Sequence, residues 1–219
     1  ARAARYGAFE AALGDTGADA ILLAHTLDDQ AETVLLGLTR GAGASSIAGM
    51  GAINGIFLRP FLGIRRAETV AACDDQGLEY WSDPHNNDPS YTRVRIRNEV
   101  LPLIERELGP GVAQALARTA EHLQDDNEVL DAIADEVFDN TAMIAMQHMT
   151  SLQGQLDDLP RAIRVRVYQR AASVTGFGAF TSAHIRAVDD LVMNWHGQGA
   201  VDVPGGTVVR ENGILRFSV

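Results

Sequence analysis

A short apolar run, Ala20-Ile21-Leu22-Leu23-Ala24, leads into the polar stretch His25 to Thr33, His-Thr-Leu-Asp-Asp-Gln-Ala-Glu-Thr, and then into Val34-Leu35-Leu36-Gly37-Leu38 with helical spacing. Five apolar residues suffice for a buried strand and are too few for a membrane span. Strand, polar turn and helix in that order describe an open α/β sheet, in which ligands bind beyond the carboxyl ends of the strands. With Asp28 or Asp29 capping the helix, Asp29 and Glu32 share one face, and His25 stands at the same mouth. One imidazole and up to three carboxylates at a strand end make a candidate site. Taken alone, the same residues also read as a turn histidine and a solvated acidic first turn.

The chain has 219 residues, which bounds it to one large domain or two small ones. A hydrophobic share of 46% and a charged share of 21% supply a real core. No run of 18 apolar residues and no signal peptide are visible, so a cytoplasmic protein without membrane contact is expected. Cys73 is the single cysteine. That excludes an internal disulfide, a Cys-rich zinc site and an iron–sulfur cluster, and leaves a small buried hydrophobe. All 18 basic residues are Arg. Without Lys there is no Schiff-base chemistry and no phosphate-loop lysine, whereas Arg suits bidentate phosphate contacts.

A net charge of −11 argues at first against nucleic acid, but the charge is uneven. Residues 110–158 carry one Arg against ten acids, and residues 159–219 carry seven against four. A phosphate-binding surface needs only a local positive patch. Two such patches stand out, Arg93-Arg95-Arg97 and Arg161-Arg164-Arg166-Arg170.

Along the chain, periodicity predicts a helix over 1–13, a turn at 14–17, a strand over 20–24 and a helix over 28–40. A small-residue loop follows at 41–46, and a hairpin over 50–62 ends at Arg59-Pro60. Helices are expected over 64–76 and 92–108, separated by a polar loop at 81–91. On the second of these, Arg93 and Arg97 share a side from which Arg95 points away. A long acidic helix over 112–140 carries Leu116, Leu123, Leu130 and Val137 at seven-residue spacing, which suggests a partner helix. Residues 142–149 read as either strand or helix. Leu159–Ala172 is an Arg-rich helix with Pro160 in its first turn, and Thr181 caps another that ends near Asn194. Short strands close the chain around Gly205-Gly206 and Asn212-Gly213.

Several motifs then agree in order and spacing. The His25–Thr33 stretch with Arg40-Gly41, the run Leu58-Arg59-Pro60-Phe61-Leu62, and Asp83 to Pro102 (Asp-Pro-His-Asn-Asn-Asp-Pro-Ser-Tyr-Thr-Arg-Val-Arg-Ile-Arg-Asn-Glu-Val-Leu-Pro) resemble the bacterial tRNA(Ile)-lysidine synthetases. Leu159-Pro160…Arg164 and Pro204-Gly205-Gly206 look like that family's small substrate-binding domain. The resemblance implies an α/β fold: an incomplete Rossmann-like (adenine nucleotide α-hydrolase-like) parallel-sheet domain over 1–108, a long linker helix over 109–140, and a small α+β tRNA-binding domain over 141–219. It implies an ATP-dependent carbon–nitrogen ligase. ATP adenylates the C2 oxygen of the wobble cytidine of tRNA(Ile) with a CAU anticodon, and free L-lysine then displaces AMP.

Carried over residue by residue, the resemblance makes His25, Asp29, Glu32 and Arg97 the catalytic set. It places Arg5 near ATP and Asp29 near Mg²⁺, and leaves Asp28 to cap the helix. Arg93, Arg161 and Arg164 are the expected tRNA contacts, with Tyr91–Arg97 near the anticodon loop. The family's Ser-Gly-Gly-x-Asp-Ser loop is absent from these 219 residues. The chain is therefore expected to be an N-terminally truncated piece lacking roughly one hundred residues, inactive by itself, with His25–Thr33 as half of a site. Two other readings stay open: a PP-loop tRNA thiolase, which a single cysteine disfavours, and a non-catalytic RNA-binding protein.

Overall fold

A computed structural model describes residues 2–41, 43–81, 83–146 and 149–219. Ala1 of the first helix, Ala42 of the small-residue loop, Ser82 of the polar loop and Gln147 and His148 of the ambiguous segment lie outside the described residues. The chain divides into two compact units, Ala1–Asp125 and Asp126–Val219.

The first unit is built on a three-stranded sheet. Strand β1 (Ile21–Leu22) runs parallel to β3 (Phe57–Leu58), and β2 (Ile53–Asn54) pairs antiparallel with β3. The parallel pair requires a crossover, and α2 (Leu27–Arg40) lies on it, followed by the short α3 (Ala44–Ile47). Gly37 lets α2 and α3 approach, because a Cβ there would collide with the Ser46 carbonyl. The first helix, α1 (Arg2–Thr16), runs three residues past its expected end and turns at Gly17, whose φ is 67°. Its Tyr6 and Phe9 pack on Phe57.

Next come α4 (Arg66–Asp75) and a 3₁₀ turn over Pro84–Asn87. The helix expected over 92–108 is three pieces: α5 (Thr92–Arg95), a π-turn (Ile96–Val100) and α6 (Leu101–Leu108). Pro102 explains the widening. It has no N–H, and its ring crowds the carbonyl four residues back, while the Leu101 N–H donates to the Ile96 carbonyl, five back. Helix α7 (Val112–Thr141) contributes its first half here, where Ala113 and Leu116 join Leu27, Ala31 and Leu101 in a core.

The second unit is a five-stranded antiparallel sheet in the order β4-β5-β8-β7-β6, comprising β4 (Ala142–Met146), β5 (Met149–Leu152), β6 (Val201–Val203), β7 (Gly206–Glu211) and β8 (Ile214–Ser218). The ambiguous segment thus contributes to two strands. Helices α8 (Arg161–Thr175) and α9 (Ser182–Met193) pack on this sheet through Val167, Tyr168, Val188 and Leu191 against Leu152, Val208, Leu215 and Phe217. Pro160 is the N-cap of α8 rather than a first-turn residue, and Thr181 accepts the His184 N–H as expected of a cap. Gly206 has no room for a Cβ beside the Ser218 carbonyl and the Phe177 ring. The seven-residue stripe of α7 serves these two cores: Leu116 packs in the first, and Leu130 and Val137 in the second, where α8 is the partner helix, tied to α7 by Arg166–Asp131 and Arg170–Asp135.

Candidate active site

The chain leaves β1 through Leu23 and Ala24, and Thr26 becomes the N-cap of α2. The expected cap, Asp28 or Asp29, is displaced by one turn position. Asp29 occupies N3, and its Oδ2 accepts both the Thr26 N–H and the Thr26 hydroxyl at 2.8 Å. Asp28 does cap a helix, but a different one: its Oδ2 accepts the Arg66 N–H at the start of α4 (2.7 Å), and its Oδ1 accepts Arg65 Nε (3.1 Å).

One turn on, Glu32 is fully buried, an arrangement tolerable for a carboxylate only when it is paired. Arg93 Nε donates to Oε2 at 2.8 Å, Arg97 Nε to Oε1 at 2.7 Å, and Arg66 Nη2 lies 3.5 Å from Oε1. Arg66 and Arg97 also donate to Asp29 Oδ1, at 2.9 and 3.3 Å. Three guanidiniums from α4, α5 and the π-turn thus converge on two carboxylates of α2. Arg95 points elsewhere, to the Pro89 and Ser90 carbonyls, as the helical spacing predicts.

Burial would raise the Asp29 carboxyl, but the Thr26 N–H and hydroxyl and the Arg66 and Arg93 charges outweigh it and hold the pKa below the usual carboxylate range. For Arg97, burial disfavours the charge, and the hydrogen bond and charge of Glu32 more than restore it. His25 sits beside this network. Burial lowers its pKa, Asp29 opposes, and Arg59, Arg93 and Arg5 lower it further. The ring is therefore neutral at pH 7, and its buried Nδ1 has no hydrogen-bond partner among the described residues.

The expected set His25, Asp29, Glu32 and Arg97 is therefore assembled in one place. Arg5 and His25, with Tyr6 and Phe9, help line a cleft of about 430 Å³ that also exposes Asp29 and Arg97. Aromatic walls and three arginines suit a nucleotide. Asp29 does not suit Mg²⁺, because both of its oxygens already accept donors and two of these are guanidiniums; no group of three metal-ligating side chains occurs among the described residues.

Two tRNA expectations change. Arg93 is held against α2 by Glu32, the Asp29 carbonyl and the Thr33 hydroxyl, so it positions Glu32. Arg164 is buried, with Nε and Nη2 on the Asp189 carboxylate at 2.8 and 3.2 Å. Arg161 remains exposed. Arg166 and Arg170 pair with Asp131 and Asp135. The residue that sequence reasoning missed is Arg66. The order Arg65-Arg66 at a helix start was visible, but its partner Asp29 lies 37 positions away.

The PP-loop domain family matches residues 1–104, and the TilS substrate binding domain matches residues 154–216. The chain is 53% identical over 218 residues to the tRNA(Ile)-lysidine synthase of Leifsonia xyli subsp. xyli, covering 99% of this chain and 66% of that protein. It is 50% identical to that of Thermobifida fusca (94% of this chain, 63% of the relative). It is 49% identical to that of Mycobacterium tuberculosis (93% and 62%). The chain spans less than two thirds of the length of these relatives. It carries a PP-loop domain and a TilS substrate-binding domain, and it belongs to the tRNA(Ile)-lysidine synthase family.

Proposed function

We propose that this chain forms part of an ATP-dependent carbon–nitrogen ligase that joins free L-lysine to C2 of the wobble cytidine in tRNA(Ile) with a CAU anticodon. The supporting observation is the assembly of His25, Asp29, Glu32 and Arg97 at one strand end of a PP-loop domain, on a chain that also carries a TilS substrate-binding domain. The thiolase and the non-catalytic readings lose ground, because the relatives that align over nearly the whole chain are named tRNA(Ile)-lysidine synthase.

When bound, ATP supplies activation: its adenylyl group turns the C2 oxygen into a leaving group. Arg5 and Arg97 counter phosphate charge from the wall of the cleft. Asp29 and Glu32 orient the attacking amine electrostatically. Neutral His25, at the cleft wall, offers its imidazole as a nearby acceptor for the proton that the amine sheds. Mg²⁺ accompanies ATP as its counter-ion. Arg161 and the Tyr91 ring, 52% exposed, are the remaining tRNA contacts. The cytoplasm is where such a substrate is met.

In the full-length enzyme, Asp29→Asn or Glu32→Gln lowers lysidine formation at least about ten-fold, or ~1.4 kcal/mol of transition-state stabilisation. Near-normal activity in both variants would sink the assignment. The 219 residues alone, which contain no Ser-Gly-Gly-x-Asp-Ser stretch, release no pyrophosphate from ATP; measurable turnover overturns that.

A further inference from the structure

Arg59 stands apart from the arginines of the strand-end network. It is 4% exposed, and among the described residues the other arginine buried to this degree is Arg164. Arg164 has the Asp189 carboxylate. Arg59 has no carboxylate partner among the described residues: its Nη1 donates to the Gly51 carbonyl at 2.7 Å, and its Nε is buried without an acceptor. A guanidinium buried with a single carbonyl as its acceptor is a costly arrangement, and its surroundings hold it there. The loop over 48–51 is clamped from two helices. Gln30 of α2 donates Nε2 to the Met50 carbonyl and accepts the Met50 N–H on Oε1. Gln124 of α7 donates to the Ala48 and Met50 carbonyls. Gly49, at φ 66°, makes room for the Gln30 amide, since a Cβ there would come within 2.6 Å of Oε1. The Gly51 carbonyl that receives Arg59 is fixed by these bonds to its neighbours.

The Arg59 N–H continues the β2–β3 ladder by donating to the Ala52 carbonyl. Alternation therefore puts its side chain on the sheet face of Phe57, the face that Tyr6 and Phe9 of α1 cover. His25, which follows the neighbouring strand β1, lines the cleft with those two rings. Charges surround His25 on every element near it: Arg5 on α1, Asp29 on α2, Arg93 on α5 and Arg59 after β3, with Arg66 of α4 and Arg97 of the π-turn lining the same cleft. Asp29 favours the imidazolium. Arg93, Arg66 and Arg97 are paired with Glu32 or Asp29, and Arg5 lies at an exposed position, where water and salt screen it. Among the described residues near His25, Arg59 alone is a cation both buried and unpaired. Its field is neither cancelled by a counter-charge nor screened by solvent, and of the charges that disfavour the imidazolium it acts most strongly.

We propose that Arg59 is a positioning residue for the reaction: its buried, unpaired guanidinium keeps the His25 ring uncharged beside the Asp29 carboxylate, so that the ring can accept the proton of the attacking amine. This rests on the lysine-ligase reading and explains how a histidine next to a carboxylate remains a base near neutral pH. Without the Arg59 charge, Asp29 draws a proton onto the imidazole, and an imidazolium has only donors to offer. Arg59 does not line the cleft and acts only through His25.

Two substitutions in the full-length enzyme separate charge from packing. Arg59→Gln removes the charge and Arg59→Lys keeps it, while both disturb the bond to Gly51. The His25 ring is titrated by NMR, its signal assigned through His25→Gln, and kcat for lysidine formation is followed along the acid limb of its pH profile at saturating lysine. Arg59→Gln is expected to raise the His25 pKa by at least about half a pH unit and to move the acid limb to higher pH by the same amount. Arg59→Lys leaves both near wild type. Equal shifts in the two variants, or no shift in Arg59→Gln, overturn the inference. Should Arg59→Gln fail to fold, Arg59→Met fills the space without charge and is read in its place. If neither neutral variant folds, Arg59 is a structural residue and the inference falls. The NMR titration separates this inference from the reading on which it rests. A His25 titration that depends on Arg59 in an enzyme that makes no lysidine sinks the function and keeps the pair. Lysidine formation with an unmoved His25 titration does the reverse.

Discussion

Both units bury a carboxylate against arginine, and the two centres differ in what surrounds the guanidinium. In the second unit Asp189 accepts Arg164 Nε and Nη2 and the Tyr168 hydroxyl, and the Arg164 side chain is only 7% exposed. Burial and Asp189 push the Tyr168 hydroxyl well above its ordinary pKa, so it stays a donor. Only Arg161, 3.8 Å from Asp189 Oδ2, reaches that centre from the surface. In the first unit Glu32 is buried more deeply still, but its arginines keep 24% to 41% of their side chains exposed. Those charges can be rehydrated or handed to a ligand, whereas Arg164 has nowhere to go. A closed centre of this kind fixes a fold, and an open one can exchange partners.

The contrast is broken most directly by removing one charged partner from each. Arg164→Ala leaves Asp189 with the Tyr168 hydroxyl and the exposed Arg161 at 3.8 Å, and should cost about 3 kcal/mol, the lower end for breaking a buried pair. Glu32→Gln leaves its arginines access to water and should cost about 1 kcal/mol, although it disables the reaction. Denaturant unfolding of both variants checks this, and equal losses would erase the distinction between the two centres.

The same comparison shows what could be read in the sequence. The strand–turn–helix around His25, the hairpin at 53–58, the Thr181 cap and the Asn212-Gly213 turn all follow from local rules, and the structure contains them. The phase of Arg164 was also legible. Ile163, Val167, Tyr168 and Ala171 occupy the same inward stripe of α8, and Val188, Leu191 and Val192 flank Asp189 on α9 in the same way. Counting arginines as a patch concealed that register. Other features were beyond local reading. Thr26 rather than Asp28 caps α2 because Asp28 is drawn to α4 across 38 positions, and a cap at that distance has no sequence signature. The π-turn at Ile96–Val100 had a cue in Pro102, but the missing N–H could equally have ended the helix.

With Arg164 withdrawn from the surface, Arg161 alone carries the charge expectation on α8, and its side chain is 67% exposed. Arg161→Ala should weaken tRNA binding a few-fold and reduce the salt slope by about one, as loss of a single phosphate contact does. Affinities measured across a salt series check it. An unchanged slope makes the helix a solvated face and leaves the tRNA contacts of this chain in the first unit.

The smallest effect separates the centres by pH. His25 has a folded pKa below the ordinary value of 6.5, because burial and neighbouring arginines disfavour its charged form. The unfolded chain therefore takes up a proton at His25 before the folded chain does. Stability of the first unit should fall as pH drops below about 6.5 and level off once the folded histidine titrates too. Asp29 acts in a separate window, because its lowered pKa removes stability only as pH falls through and below the ordinary carboxylate range. His25→Gln should flatten the upper window and leave the acid one intact. His25 lies outside the second unit, so unfolding of that unit, followed by its tryptophan, Trp195, should keep the same pH dependence when His25 is replaced. If the slope of the first unit survives the substitution, it does not come from His25, and the neutral ring beside Asp29 loses its support.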